Sequence, residues 1–450
     1  MPKDDQPLTF DHVFSEPYLR SVFEDRLNDA RFTGLDGISV SSFRRNVDAE
    51  VALISRKVLC GEFRFTRFRE KLILKTSRKP PRQISIPTLR DAIALRALCD
   101  HITYQFQECR MRPPHDCTKR VAIAAKRAAA SDCFLRLDVE NFYPSIDHKI
   151  LGTQLQKKGA DTRTISLIER AIKNPTGFDN GDISDVGVPQ GLSISNILSM
   201  LYLEDLDDYF SSNFQYFRYV DDLLLIVRDV EAVNAHKEIA DYMKSKLRLK
   251  THDLDPKQAD KTSITPVEVG TEYLGYHVSS RGLKIRERSY KKMFRAIVGC
   301  LRPLKGTARI EQVLWRLNLI ITGCRVEERS VGWVFFFRQS TDVGQFQRMD
   351  AFVRQQLGIY GLQHKISSVK RFTKAYHETR YNRDGTTYIP DFDNFTLADM
   401  IKTIHLVRGT SLERLGEMDR SEIEGIYWKM VKREVSKLER ETVDFFTYGS

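Results

Sequence analysis

The chain has 450 residues, 41% hydrophobic, 10% aromatic and 29% charged, which argues against a disordered chain and leaves room for two to four domains of roughly 100–200 residues each. Lys and Arg outnumber Asp and Glu by 71 to 60, a net +11 that is compatible with a polyanionic partner without requiring one. Seven Cys with no C-x-x-C pair or His/Cys cluster, and neither a leader-like start nor a run of about 18 apolar residues, predict a cytoplasmic protein with reduced thiols and no membrane partner.

Residues 1–50 are mixed and polar, with a turn at Gly34-Leu35-Asp36-Gly37 where glycine permits positive φ. Residues 51–108 read as a helix, a basic strand-and-loop section, Ile84-Ser85-Ile86-Pro87, and a further helix from Leu89. From Ile54 to Arg82 there are ten Lys or Arg against two Glu, with Phe63, Phe65 and Phe68 among them. Cations interleaved with aromatics suit phosphate contact and base stacking; a solvated basic face is the plainer reading.

Strands and helices then alternate over 134–278. Phe134-Leu135-Arg136-Leu137 is a strand running into Asp138, and a helix follows Ser145. Ile194, Ile197, Leu198 and Leu201 form one apolar helix face. Residues 214–227 read as two strands joined at Val220-Asp221-Asp222, 231–249 as a helix, and 273–278 as strand. From Tyr290 the patterns are long and helical, with a weak boundary near Gly358 and a last helical segment from Leu397 to Thr442. The expected class is therefore α+β, with a mixed core followed by a helical C-terminal third.

Asp221 and Asp222 interrupt two apolar segments. In a plain strand one of these carboxylates would enter a core, and burying it unpaired is prohibitive. A hairpin tip brings both to the sheet's end, where a hard divalent cation offsets their repulsion. An ordinary Asp-containing turn is the competing reading. Asp138 ends another apolar strand 83 residues earlier. Two such strand ends meeting in space would hold a pair of Mg²⁺ ions about 3.5–4 Å apart, the arrangement for in-line phosphoryl transfer. Gly187-Val188-Pro189-Gln190-Gly191-Leu192-Ser193 lies between them; its glycines would let backbone approach a ligand beside the Gln190 amide. A bland loop capped by Ser193 explains it equally well.

In order, Asp138-Val139-Glu140-Asn141-Phe142-Tyr143, Val188-Pro189-Gln190-Gly191 and Tyr219-Val220-Asp221-Asp222 resemble the motifs of the reverse-transcriptase family. Gly34-Leu35-Asp36-Gly37 and Arg82-Gln83-Ile84-Ser85-Ile86-Pro87 are similar to its upstream finger motifs, and Lys261-Thr262 and Tyr273-Leu274-Gly275-Tyr276 to its later palm motifs. The resemblance implies a right-hand polymerase fold. Its fingers would be 1–133 with part of 151–185, its palm 134–285 and its helical thumb 286–358, with 359–450 a helical extension. It implies RNA-directed DNA synthesis from deoxynucleoside triphosphates with two Mg²⁺ ions, or Mn²⁺ in their place. Asp138, Asp221 and Asp222, with the Val139 carbonyl, would hold the metals. Tyr143 would exclude a ribose 2′-hydroxyl, Gln190 and Val139 would face the incoming nucleotide, Arg82 would reach its triphosphate, and Lys261 would protonate the leaving pyrophosphate unless it is a solvated surface lysine.

The thumb-like segments Arg316–Gly323 and Gly332–Phe336 resemble intron-type bacterial enzymes, yet no His/Cys endonuclease cluster follows. The Asn-Ala-x-x-His and Val-Thr-Gly signatures of retron enzymes are missing from 151–186 and 279–300. What remains is a resemblance to stand-alone, defence-associated bacterial reverse transcriptases, which implies a companion non-coding RNA as template. A retron-type or intron-derived enzyme, a template-independent polymerase and a non-catalytic RNA-binding protein are the alternatives. Oligomeric state is left open.

Overall fold

The computed structural model describes residues 6–28, 30, 32–73, 81–177, 184–255, 261–306 and 309–446. It is α+β, as expected. The chain gathers into two compact units: Met1–Pro113 with Cys133–Ile264, and Pro114–Asp132 with Thr265–Ser450.

The first unit is built around a four-stranded sheet in the order β4-β5-β3-β6, where β3 is Asp132–Asp138, β4 Gln215–Tyr219, β5 Asp222–Arg228 and β6 Ser263–Pro266. The interior strands are apolar on both faces: Cys133, Phe134, Leu135 and Leu137 on β3 and Leu223 to Val227 on β5 are all buried. Such strands are covered on both sides and read as continuous hydrophobic runs. β4 and β5 pair antiparallel from Gln215↔Ile226 to Tyr219↔Asp222, so the expected hairpin closes through Val220 and Asp221. A smaller hairpin pairs β1 (Arg69–Ile73) with β2 (Arg82–Ile86); residues 74–80, part of the basic stretch, lie outside the described residues.

Phe63, Phe65 and Phe68 are buried and pack on one another, with centroids 5.1 Å and 6.3 Å apart. The base-stacking expectation is therefore corrected: these rings fill the core, which their apolar surface favours far more than exposure. Of the two turn glycines, only Gly37 has positive φ (+67°). Gly34 serves close approach, because a Cβ there would stand 2.6 Å from the Thr88 Cα. Thr88 caps the helix Leu89–Gln105, accepting from the Asp91 N–H at 3.2 Å.

In the second unit, β7 (Thr271–Tyr273), β8 (Tyr276–Ser279) and β9 (Gly282–Ile285) form an antiparallel meander. The single strand expected over 273–278 is thus a hairpin. Leu274 and Gly275 both have positive φ (+46° and +85°), the backbone of a tight two-residue turn. The helices Glu287–Leu301, Ile310–Thr322, Val343–Ile359, Phe372–Tyr381, Leu397–Arg408 and Arg420–Phe446 follow, with one short hairpin of β10 (Cys324–Val326) and β11 (Arg329–Val331). The weak boundary near Gly358 separates no cores: Phe346 stacks on Tyr376 at 4.4 Å, and Trp333 touches Phe346 and Phe372. Among the described residues no helix is long and apolar enough to cross a membrane.

Candidate active site

Asp138 is the last residue of β3, and Asp222 the first of the neighbouring β5. The sheet order therefore delivers two carboxylates to adjacent strand ends, and the β4–β5 turn adds Asp221. Val220 at that turn takes φ +56°, unusual for a β-branched residue. The Val220 carbonyl accepts from Arg218 Nη1 at 2.9 Å. Arg218 Nε in turn reaches Asp207, on the helix Glu204–Asn213, at 2.6 Å.

The three carboxylates sense one another. Burial first, then the Asp222 charge and, more weakly, Asp138, push the Asp221 carboxyl up to about 7, while its own backbone and Arg82 pull it down. Burial also raises Asp222, with Arg136 opposing and Asp138 adding to the rise. Arg136 Nη2 lies 3.2 Å from Asp222 Oδ1. Asp138 is engaged by Lys261 Nζ and lies 3.5 Å from His252 Nε2, while His252 Nδ1 is 3.5 Å from Glu140 Oε1. Its backbone is fixed as well: the Asp138 N–H points to Thr262 Oγ1 at 3.5 Å and its carbonyl accepts from the His252 N–H at 3.0 Å.

Val139 faces Thr251 across an isolated bridge. Its two hydrogen bonds, Glu140 N–H to the Lys250 carbonyl and His252 N–H to the Asp138 carbonyl, run through neighbours rather than through the Val139 carbonyl. An all-oxygen set of buried and half-buried, mutually repelling carboxylates is the chemistry a hard divalent cation neutralises. The donor chemistry of these residues suits such an ion, although their oxygens do not all lie within 4.8 Å of one another.

Backbone docking brings the Pro-Gln-Gly loop between the Tyr143 segment and β2. The Val188 N–H donates to the Tyr143 carbonyl and the Gly187 N–H to that of Ile146, both at 2.8 Å, and the Ser85 N–H donates to the Gln190 carbonyl at 2.7 Å. The Pro-Gln-Gly loop is thus bolted to the segment after Asp138 on one side and to β2 on the other. Gly191 serves that docking, since a Cβ there would meet Ile84 Cγ2 at 2.7 Å and the Ser85 carbonyl at 3.0 Å. Its close approach is to the protein's own strand, which corrects the expectation of approach to a ligand. Ser193 does not cap the next helix, Ser195–Tyr202, whose N-cap is Ile194; instead Ser195 Oγ donates to the Pro189 carbonyl at 2.6 Å.

Arg82, the first residue of β2, acts electrostatically on both the Asp221 carboxyl and the Tyr143 phenol. The Tyr143 hydroxyl donates to Asn196 Oδ1 at 2.8 Å, and burial is the main cause of its raised pKa. Arg136, His252, Thr262 and Asn196 were not anticipated. Arg136 left a trace in sequence as a charge inside a buried strand, and Thr262 as the second residue of the Lys261-Thr262 motif.

Residues 73–278 match the family described as reverse transcriptase (RNA-dependent DNA polymerase). Protein YkfC of Escherichia coli K12 is 24% identical over 350 residues, 64% of this chain and 86% of its own. A COX1/OXI3 intron 2 protein of Saccharomyces cerevisiae is 23% identical over 191 residues, 40% of this chain and 21% of its own, so this chain spans about a fifth of that relative's length. Among solved structures, telomerase from Candida albicans in complex with a telomeric RNA fragment is 12% identical, with a TM-score of 0.46, over 84% of this chain and 69% of that one. Apo telomerase from Candida tropicalis is also 12% identical, with a TM-score of 0.40, over 93% and 88%.

Proposed function

We propose that this chain, whose residues 73–278 match the family described as reverse transcriptase (RNA-dependent DNA polymerase), extends a primer by two-Mg²⁺ nucleotidyl transfer at the strand ends of β3 and β5. The observation that carries the proposal is the convergence of Asp138, Asp221 and Asp222, with the two hairpin carboxyls raised above their ordinary range first by burial and then by the neighbouring carboxylates.

Asp138, Asp221 and Asp222, with the Val139 carbonyl, would hold the ions. The chemistry supplied by that pair, when bound, is neutralisation of charge on the attacking 3′-oxygen and the departing pyrophosphate. Arg82 binds the triphosphate from the β2 side as a charge-assisted donor. Tyr143, braced by Asn196, closes the sugar side against a 2′-hydroxyl and so favours deoxynucleotides. Gln190 faces the incoming base and Val139 lies beneath the nucleotide. Lys261, which lies on the Asp138 carboxylate, would be the donor of a proton to the departing pyrophosphate. Primer extension on an RNA template, comparing wild type with Asp221→Ala plus Asp222→Ala, tests the proposal: equal incorporation by both proteins would refute it.

The template we propose is a companion non-coding RNA used in bacterial anti-phage defence, in the cytoplasm. What supports this reading is an intact carboxylate set joined to a helical C-terminal region that lies outside the family match at 73–278. Purification from the native host, followed by sequencing of bound RNA and of cellular DNA product, decides it. A protein that carries no enriched RNA species would rule it out.

A further inference from the structure

The helix Phe372–Tyr381 and its flanks concentrate positive charge that outweighs the acids among them. Residues 364–388 contain Lys365, Lys370, Arg371, Lys374, Arg380 and Arg383 against two acids, Glu378 and Asp384, of which Asp384 is paired with Arg325 at 3.4 Å. Among the described residues none of those six cations is in an ion pair. Glu378 accepts from Thr386 and from the Asn382 amide at 2.8 Å, with Lys374 acting on it more weakly. The nearby Asp350 is committed to the helix N-terminus, accepting from the Phe372 N–H at 2.6 Å and the Thr373 hydroxyl at 2.7 Å.

The cations therefore act on each other. Lys370 is lowered by burial and then by Lys374. Arg338, whose carbonyl accepts from Arg380 at 3.2 Å, is lowered by burial and then by Arg383. His115 is lowered by burial and by both of those arginines, Arg338 and Arg383. Like charges left facing one another in a folded protein mark a surface shaped for a polyanion.

Aromatic rings are interleaved with these charges. Tyr381 is 66% exposed, lies 5.0 Å from the exposed His377 ring, and has the Arg380 guanidinium 5.5 Å from its centroid. Tyr388 has Lys374 over its ring at 4.5 Å, and its hydroxyl, accepting from the Arg371 N–H at 2.6 Å, fixes its place. A large ring held in water between cations presents a π-face on which an unpaired base can stack.

We propose that the exposed face of the helix Phe372–Tyr381, with Arg383 and Tyr381 at its end, is a docking platform for single-stranded RNA, separate from the carboxylate site. The choice of RNA rests on the polymerase reading above, in which the chain handles an RNA template. Lys374 and Arg383 contact phosphates, and Tyr381 stacks on a base. The platform gives the C-terminal region a way to retain the template strand outside the palm.

The test is fluorescence anisotropy of the full chain with an unstructured RNA of about 20 nucleotides, through a salt series from about 50 to 200 mM. Lys374→Gln with Arg383→Gln is expected to weaken binding and to flatten the log affinity–log salt slope by about 1.4, at about 0.7 for each single-strand phosphate no longer neutralised. Tyr381→Ala is expected to weaken binding about fivefold or more while leaving the slope unchanged. Wild-type affinity and slope in these variants, with unaltered thermal melts, would overturn the platform. So would equal binding of DNA of the same sequence, or displacement of the RNA by polyglutamate at equal charge concentration, which would indicate an acidic protein partner. The Asp221→Ala plus Asp222→Ala protein separates the two readings, because it should bind RNA normally while extending nothing. A wild type that binds RNA through this face but incorporates no nucleotide would defeat the polymerase reading and leave the platform standing.

Discussion

Arg136 on β3 and Asp222 on β5 meet at 3.2 Å, so the two strands that carry the acidic site are tied together by a charge directly behind it. Arg136 holds Asp222 down against burial. Replacing it with Met, which keeps much of its bulk, should raise the Asp222 pKa further. The acidic limb of primer-extension activity should move to higher pH with it. An unmoved limb in a folded Arg136→Met protein would show that the pair does not tune the site.

The raised Asp221 pKa has a defined sign for stability. The native state keeps that proton until about pH 7, whereas an unfolded chain loses it near 3.8. Between those values the native state binds more protons, so without divalent ions stability falls as pH rises through the window. Cation binding must displace the proton. The thermal shift produced by Mg²⁺ should therefore grow from about pH 6 to pH 8, and affinity should fall by up to about tenfold per unit below 7. Asp221→Asn should melt higher than wild type at about pH 8 without metal, by about 1–2 kcal/mol, and should show no such gain near pH 4. Differential scanning calorimetry at the two pH values reads both effects.

Lys261 sits on the Asp138 carboxylate and so competes with any ion there. Lys261→Ala should lower the Mg²⁺ concentration needed for half-maximal activity. If the lysine also protonates pyrophosphate, kcat at saturating Mg²⁺ should fall by about 100-fold. A lower Mg²⁺ requirement with unchanged kcat would leave Lys261 as a counter-ion only.

Tyr143→Ala is expected to admit ribonucleotides, narrowing deoxy-over-ribo discrimination in kcat/KM by about 100-fold or more. Asn196→Ala, which frees the Tyr143 hydroxyl without removing the ring, should narrow it by a smaller factor. Single-nucleotide incorporation with matched dNTP and NTP pairs measures this; unchanged discrimination in Tyr143→Ala would place the gate elsewhere.

The strands that present the carboxylates were legible because each is an apolar run ended by an Asp, a pattern that few folds can bury without a purpose. The hairpin through Val220 followed from the same contradiction between burial and charge. Phe63, Phe65 and Phe68 were misjudged because spacing alone does not say which side of a basic segment meets the core. The roles of Gly34 and Gly191 were hidden for a related reason: their neighbours, Thr88 and Ser85, are distant in sequence. His252 left no local signal at all, since its contact with Asp138 exists only because residues 250–252 run beside 138–140. Arg136 could have been found by asking what a guanidinium inside a buried strand must pair with.

Val220 holds a backbone shape that costs about 1–3 kcal/mol for such a side chain, and Arg218 and Asp207 brace it from below. The spacing of the acidic tip is thus set by the scaffold, which leaves it little freedom to widen around a larger guest. Ionic radius then becomes a selection criterion. Mg²⁺ suits a small, stiff oxygen cage, whereas Ca²⁺, which prefers six to eight looser ligands, should occupy the same acids and compete with Mg²⁺ without supporting incorporation. Primer extension in calcium alone, and in calcium titrated against magnesium, would show that discrimination directly.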